Sequence, residues 1–257
     1  MISDYSASRV TAELDRIRAS LQEHGYALTD EASIGLPQNF RKKFGEAYFN
    51  SDTLRHDEGD WPIDRERARD VIFYQRQGDD VELHEFDTIT ITNRAGIDGK
   101  RDHARVRVLG DALAQDFVRS VLALVPEDSR QGEGTFGVNL FRTYTNVVTT
   151  PHHDHEKFIL TYVVDRIGEG AETYLYRPED VSEDGEILGE PILRQQLNPG
   201  QMIIFEDEKY KHGATPLVPP PGGRARRDAV VCTVDYRDTY LPPSSSSSPL
   251  PRSPALT

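Results

Sequence analysis

The chain has 257 residues, and its 43 acidic residues outnumber its 30 lysines and arginines, so its formal net charge is −13. Nucleic acid and anionic membrane surfaces are poor partners for such a chain, because binding phosphates needs a surplus of basic side chains. A mean hydropathy of −0.59 is ordinary for a soluble protein. The sequence contains no run of about 18 apolar residues, so no membrane-spanning helix is predicted. The N-terminus lacks the apolar stretch of a signal peptide, and Cys232, the only cysteine, cannot form an internal disulfide. We therefore expect a cytoplasmic protein.

Three amphipathic helices are predicted in the first half of the chain. The first ends at Gly25, the second begins at Pro37, and the third covers about 111–124. Their apolar positions recur every three or four residues: Val10, Leu14, Ile17 and Leu21; Phe40, Phe44 and Tyr48; Leu113, Phe117, Val121 and Leu124. Residues 49–70 are polar and charged, and they predict a long surface loop. In this loop Trp61 is favoured as an anchor packed on the body of the domain, and contact with the substrate is the alternative.

The remaining pattern is that of short strands separated by turns. Alternating or β-branched residues predict strands at 26–28, 71–74, 86–91, 104–108, 136–145, 158–164, 172–176, 192–197, 201–205 and 228–236. Helices followed by closely spaced strands favour a mainly β fold with flanking helices (α+β), a sandwich or barrel, over a parallel α/β sheet. We expect residues 1–240 to form a single domain and the Pro/Ser-rich residues 241–257 to be a disordered tail.

Three of the eight histidines lie in the segment His152-His153-Asp154-His155, between two predicted strands. In extended backbone, residues two apart point to the same side, so His152 and Asp154 can bind one ion, while His153 and His155 point away, to the surface or to support the ligands. His212, after the strand at 201–205, is the best candidate for a third ligand. Two imidazoles and a carboxylate form the facial set that binds Fe(II) and leaves positions open for substrates. The alternatives are a solvated turn at 152–154 and a hydrogen-bonded core histidine at 212.

An arginine at the entrance to the last strand supplies a further element. Arg227 is favoured over Arg224 and Arg226, because only alternate positions of a strand face the interior. Its guanidinium can pair bidentately with a carboxylate of an anionic co-substrate. The acidic run at 206–208 predicts a solvated loop.

The order of these elements (strand, His-x-Asp, strand, then His212-Gly-x-Thr-Pro and Arg227-Asp228) resembles that of the iron- and 2-oxoglutarate-dependent oxygenases. Within that family it resembles most the small bacterial branch that includes the free isoleucine dioxygenase. The resemblance covers about 70–240 and is specific from 136 onward. It implies a double-stranded β-helix, a jelly-roll or cupin-like barrel, in which His152, Asp154 and His212 hold Fe(II). It also implies that Arg227 binds the distal carboxylate of 2-oxoglutarate and that O2 is the oxidant.

Arg142 stands where that branch carries an arginine ahead of the metal motif. The resemblance makes it a candidate for binding the carboxylate of the substrate or the co-substrate, and a structural salt bridge is the alternative. Two departures concern the substrate: Gly170-Ala171-Glu172 replaces the branch's Gly-Gly-Asp, and the loops 49–70 and 177–190 do not align.

The function that the resemblance implies is oxidation of an unactivated C–H bond in a small free amino acid or a derivative. Hydroxylation, desaturation and ring closure are all compatible with the site. The alternatives are a cupin-like metal-dependent isomerase or decarboxylase, a non-catalytic β-sandwich that binds a carboxylate or a protein, and a protein-directed oxygenase. The expected partner is a small molecule, and nothing in the sequence indicates the oligomeric state.

Overall fold

The computed structural model describes residues 2–56, 65–78, 80–86, 105–144 and 149–236. Its helices are α1 (Ile2–His24), α2 (Phe40–Tyr48) and α3 (Ala112–Leu124). As predicted, α1 ends at Gly25, whose φ of 76° lies in the left-handed region that glycine adopts without strain. The α2 helix begins three residues after Pro37, because Pro37 lies in the turn that leads into it. Of the helices in this described part, none has the length and apolar character needed to cross a bilayer.

The strands form one large and one small antiparallel sheet, with a two-stranded ribbon beside them. In chain order they are β1 (Tyr26–Asp30), β2 (Arg55–His56), β3 (Arg65–Gln77), β4 (Asp80–Glu85), β5 (Glu133–Thr143), β6 (Thr149–His152), β7 (Phe158–Ile167), β8 (Glu169–Gly170), β9 (Thr173–Tyr176), β10 (Leu193–Gln195), β11 (Gln201–Glu206), β12 (Lys211–Ala214), β13 (Leu217–Val218) and β14 (Arg226–Tyr236). The large sheet has the order β1-β11-β7-β14-β5-β3-β2, with β4 on β3. The small sheet has the order β10-β9-β12-β6, and β13 pairs with β8.

The two faces of the large sheet bury different clusters. We call the face packed against the three helices the outer face; its apolar side chains include Val138, Leu160 and Val230. The opposite, inner face contributes Val163, Ile203 and Phe205 to a cluster that also contains Leu175 of the small sheet. The two sheets therefore enclose an inner space, which is the architecture expected of a barrel or sandwich with helices on one side.

The structure corrects three predictions in the first half of the chain. Residues 55–56 form β2 and residues 65–70 form the first half of β3, instead of belonging to a surface loop. The predicted strand at 104–108 is absent from the described residues 105–108, where Arg105 makes an isolated bridge to Arg69 and Val108 begins a 3-10 turn. The segment 80–85, which was not predicted, forms β4. Apolar alternation failed as a guide here, since β3 and β4 carry charged side chains at many positions.

Several predictions fall on residues outside the described ranges. They include Trp61, residues 87–91 of a predicted strand, and the tail 241–257. Phe86, the first residue of that predicted strand, is described and is not in a strand. Cys232 is a free thiol wholly buried against the helices.

Candidate active site

The small sheet brings two of the predicted histidines together. His152 is the last residue of β6 and His212 lies in β12, and the two strands pair these residues directly. Cross-strand partners leave the same face of a sheet, and the two imidazole rings are 4.5 Å apart between centroids. The His212 ring also packs on Phe205 of the inner cluster, at 5.0 Å. The pair therefore faces the inner space.

Asp154 completes the group from the segment that follows β6. Its Oδ1 is 3.3 Å from Nε2 of His152, and its Oδ2 is 3.6 Å from Nε2 of His212. One donor atom from each residue lies within 4.8 Å of the others, so the three can hold a metal ion. Ligand atoms bound at ~2.1 Å on one face of an octahedron are about 3 Å apart, which this spacing approaches. The sequence prediction that these three side chains converge is confirmed.

The second nitrogen of each imidazole lies near an oxygen of the protein, and in His152 it forms a hydrogen bond. Nδ1 of His152 is hydrogen-bonded to the carbonyl oxygen of Thr150 at 2.8 Å. Nδ1 of His212 lies 3.3 Å from Oδ1 of Asp207, close enough for an ion pair, but these two buried atoms are not aligned as a hydrogen bond. Metal-binding histidines commonly donate this N–H to a carbonyl or carboxylate oxygen, which leaves Nε2 for the metal. In both residues it is Nε2 that faces Asp154, as that role requires.

Asp207 is a residue of the site that the sequence did not reveal. It was predicted to lie in a solvated loop, yet its side chain is wholly buried, while that of its neighbour Glu208 is exposed and pairs with Lys157. Oδ2 of Asp207 accepts the backbone N–H of Glu156, and its carbonyl oxygen is bonded by Nδ1 of His153. Asp207 therefore ties the segment that carries Asp154 to the strand that carries His212.

The two other histidines of the cluster have different surroundings. His153 is largely buried, with a side chain 20% exposed, and supports the site through Asp207. His155 is exposed, and its φ of 63° turns the chain between Asp154 and β7. Neither belongs to the converging trio, as the alternation of an extended backbone predicts.

The charges of the trio favour an ionised acid. The pKa of His152 is raised, mainly because His152 is hydrogen-bonded to Asp154. Burial acts to raise the pKa of Asp154, but the hydrogen bond with His152 and the electrostatic interactions with His212, His152 and Arg69 lower it overall. At neutral pH the carboxylate is therefore available as a metal ligand.

Arg227 lies on the inner face of β14. It shares this side with Val231, which packs against the inner cluster, and its side chain is almost wholly buried. Burial, followed by the positive charge of Arg166, lowers the pKa of Arg227 to about 10. Within the described ranges, its Nη2 has no hydrogen-bond partner. A buried guanidinium in this state is costly unless an acceptor is supplied, so the residue fits an anionic co-substrate. By contrast, the adjacent Arg226 is half-buried and pairs with Asp165.

Arg142 has a different environment from Arg227. It pairs with Asp228 across β5 and β14, and both side chains leave the outer face. Nε and Nη2 of Arg142 donate to the two carboxylate oxygens of Asp228 at 2.7 and 2.8 Å, and Nη2 also donates to the carbonyl oxygen of Phe49. These contacts are those of a structural salt bridge, and a role in binding substrate stays a prediction.

Solved structures share this fold over nearly the whole chain. IDO from Bacillus thuringiensis aligns with a TM-score of 0.66 at 15% identity, covering 88% of this chain and 100% of its own. The Fe(II)/(alpha)ketoglutarate-dependent dioxygenase TqaL aligns with a TM-score of 0.71 at 14% identity, over 96% of this chain and 97% of its own. A bsmA homolog from Methylobium petroleophilum aligns with a TM-score of 0.69 at 18% identity, over 91% of this chain and 96% of its own. The predicted fold, a jelly-roll double-stranded β-helix with few helices, is confirmed.

The family follows from the sequence match. No curated protein is similar enough in sequence to count as a match. The sequence model of the 2OG-Fe dioxygenase family matches residues 51–233, a range that contains His152, Asp154, His212 and Arg227. Enzymes of this family are oxidoreductases that use Fe(II), 2-oxoglutarate and O2, and among the described residues the His-Asp-His trio is a group that can hold the iron. This chain therefore belongs to the 2OG-Fe dioxygenase family.

Proposed function

We propose that this protein oxidises an unactivated C–H bond of a small free amino acid or a close derivative, with 2-oxoglutarate as co-substrate. The observation that carries the proposal is the convergence of His152, Asp154 and His212 in an inner space that also holds the buried guanidinium of Arg227. The substrate class is supported by the resemblance of the His-x-Asp, His-Gly-x-Thr-Pro and Arg-Asp segments to the free amino acid branch of the family.

Each residue of the proposed site has a defined role. His152, Asp154 and His212 are the iron ligands; Thr150 holds the imidazole of His152 with Nε2 towards the ion, and the carboxylate of Asp207 lies beside Nδ1 of His212. When bound, iron and 2-oxoglutarate supply, with O2, the oxidising power that breaks the C–H bond.

The environment provided by the two sheets completes the proposed site. Arg227 binds the distal carboxylate of 2-oxoglutarate and so fixes the co-substrate in one orientation. The apolar side chains of the inner cluster exclude water, which keeps the substrate as the nearest oxidisable group.

The proposal is tested by a screen of free amino acids with the iron-loaded protein. An amino acid that is a substrate stimulates succinate formation from 2-oxoglutarate above the level seen without it. Mass spectrometry of the product separates hydroxylation, which adds an oxygen atom, from desaturation or ring closure, which removes two hydrogens. Failure of every free amino acid and simple derivative to stimulate succinate formation would reject the substrate class.

Two variants from the same cluster test the ligand set. His212→Ala is expected to lose stimulated turnover and bound iron, because two protein ligands hold the ion poorly. His155→Asn is the matched control, since this exposed histidine is outside the trio and asparagine tolerates its positive φ. Circular dichroism shows whether each variant folds. Near wild-type turnover of a folded His212→Ala protein would remove His212 from the ligand set.

A further inference from the structure

The inner face of β3 carries a row of arginines that the family assignment does not explain. β3 pairs with β5 without a break, and Arg65, Arg67 and Arg69 lie opposite Thr143, Phe141 and Asn139. Alternate residues on both strands, such as Ala68 and Leu140, belong to the outer cluster packed against the helices. The three arginines therefore leave the inner face, the same face as Arg227.

Arg69 lies level with the apolar cluster of the inner space. Arg69 lies opposite Asn139 of β5. Directly opposite residues on the next strands of the large sheet are, in order, Val231, Thr161, Ile203 and Leu28. Ile203 is a wholly buried member of the inner cluster, and Leu28 and Val231 pack against it. The guanidinium of Arg69 is thus placed at the wall of the space that the His-Asp-His trio faces.

Among the described residues, no carboxylate forms an ion pair with Arg69. Its Nε is buried and, in the part of the chain that the structure describes, has no hydrogen-bond partner. Arg105, bridged to Arg69 through the backbone, turns instead to the buried Asp70, with Nε 3.3 Å from Oδ1. Its positive charge acts on Asp154, the predicted iron ligand, but the side chains of Arg69 and Asp154 form no ion pair. A buried donor without an acceptor costs free energy that a bound ligand can recover.

Arg69 and Arg227 are too far apart to share one ligand group. Between them lie two strand spacings, about 10 Å, across the sheet, and four residues, about 13 Å, along it. A single carboxylate spans only a few ångströms, so the inner face offers two separate anion-binding positions. One of them, Arg227, is already assigned to the co-substrate in the proposed function.

On the basis of that proposed function, we propose that Arg69 binds the carboxylate of the prime substrate beside the iron site. The substrate is then held by its carboxylate on β3 while its side chain extends among the apolar residues of the inner cluster. Arg69 is in this sense a specificity-determining residue, because it favours small carboxylates over their neutral analogues.

The test measures binding, without oxygen, to the protein loaded with Fe(II) and 2-oxoglutarate. The panel contains free amino acids, their amides, the matching 2-hydroxy acids and simple monocarboxylates, with dissociation constants from calorimetry. We expect a carboxylate of the panel to bind wild-type protein at least ~10-fold more tightly than its amide. Arg69→Gln is expected to weaken that carboxylate ~10- to 100-fold, to abolish the preference over the amide and to leave the affinity for 2-oxoglutarate unchanged.

Two further variants keep the test falsifiable. Arg69→Lys retains the charge without the planar fork and is expected to bind the carboxylate with intermediate affinity, also in the event that Arg69→Gln does not fold. Arg119→Gln is the matched control, because this partly buried arginine of α3 pairs with Asp116 away from the inner face, and it should bind the panel like wild type.

The outcomes separate this inference from the proposed function. Arg69-dependent binding of a hydroxy acid or plain carboxylate, with no binding of amino acids, supports the role of Arg69 and rejects the amino acid class. Amino-acid-stimulated succinate formation that is equal in wild type and Arg69→Gln keeps the proposed function and overturns the role of Arg69. The role is also overturned if no compound of the panel binds, or if carboxylate and amide bind wild-type protein equally.

Discussion

The two faces of the large sheet treat buried arginines in opposite ways. On the outer face, Arg142 is matched by Asp228 with two short hydrogen bonds. On the inner face, neither Arg227 nor Arg69 forms an ion pair with a carboxylate of the described residues. The same residue type is therefore neutralised by the protein on one face and left for a ligand on the other.

This difference indicates where the fold has given up stability for binding. Burying a charge without a partner is unfavourable, whereas a paired charge recovers much of the desolvation cost from its counter-ion. An arginine that contributes to structure should therefore lower stability when it is removed, and an arginine that contributes to binding should lower affinity. Substitutions on the two faces can test this distinction directly.

The largest effect is expected for Arg227→Gln, on the inner face. Loss of a bidentate, charge-assisted contact should raise the 2-oxoglutarate concentration needed for half-maximal succinate formation by roughly 10²- to 10³-fold. The KM for the prime substrate should change far less, because the proposed substrate contact lies at Arg69. Steady-state kinetics with each substrate varied in turn measure both quantities.

Arg226→Gln is the control for that variant. It removes the neighbouring arginine, which is half-buried and pairs with Asp165, and its 2-oxoglutarate requirement should stay close to that of wild type. Equal increases in both variants, or equal effects of Arg227→Gln on the two substrates, would contradict the assignment of Arg227 as the co-substrate anchor.

A smaller effect, and of a different kind, is expected for Arg142→Gln on the outer face. The change leaves the carboxylate of Asp228, 3% exposed, without its main counter-ion. We expect the free energy of unfolding to fall by about 2–3 kcal/mol, somewhat less than for a fully buried pair because Arg142 is 15% exposed. Denaturant titration measures the loss.

Kinetics of the same variant decide the role of Arg142. The KM values of the folded enzyme for 2-oxoglutarate and prime substrate should stay near those of wild type. Adding Asp228→Asn should restore part of the lost stability, because the uncompensated carboxylate is then removed. A large rise in substrate KM without loss of stability would instead support the substrate-binding role that the sequence suggested.

Local spacing was sufficient to predict which side chains share one side of the chain at the site. The two-residue period of an extended chain places His152 and Asp154 on one side, and the same period separates Arg227 from Arg226. Register between strands was not needed for these predictions, because they concern neighbouring residues of one strand or segment. The pairing of His212 with His152 then follows from the fold.

What the sequence could not show depends on tertiary burial. Asp207 looks no different in the sequence from the acids on either side of it, and only the packing of β11 and β12 buries it against His212. The first half of β3 lacks the apolar alternation of a strand, because arginines occupy its inner face. Because of those arginines the sequence analysis did not predict the strand. One of them, Arg69, is the candidate binding residue.

Asp70 offers the smallest and most specific test of the outer face. Its side chain is wholly buried, and it accepts hydrogen bonds from the backbone N–H groups of Val71 and Val108 and from Arg105. Burial nonetheless raises the pKa of Asp70 from its ordinary 3.8 to about 6, and the hydrogen bond from Val108 and the charge of Arg105 reduce this rise only in part. The folded protein therefore binds the Asp70 proton more tightly than the unfolded chain does.

The sign of the resulting pH dependence is fixed by that shift. The ionised form of Asp70 destabilises the fold above about pH 6, and the penalty is relieved as the pH falls through 6 towards 4. Relative to Asp70→Asn, which cannot ionise, wild-type protein should gain about 1 kcal/mol of unfolding free energy between pH 7 and pH 5. Denaturant titrations of both proteins at each pH measure the difference, and Asp116→Asn, at an exposed acid of α3, should show no such change. A difference that stays constant or changes in the opposite direction would mean that the hydrogen bonds to Asp70 outweigh its burial, as they would for a carboxylate fully matched by the protein.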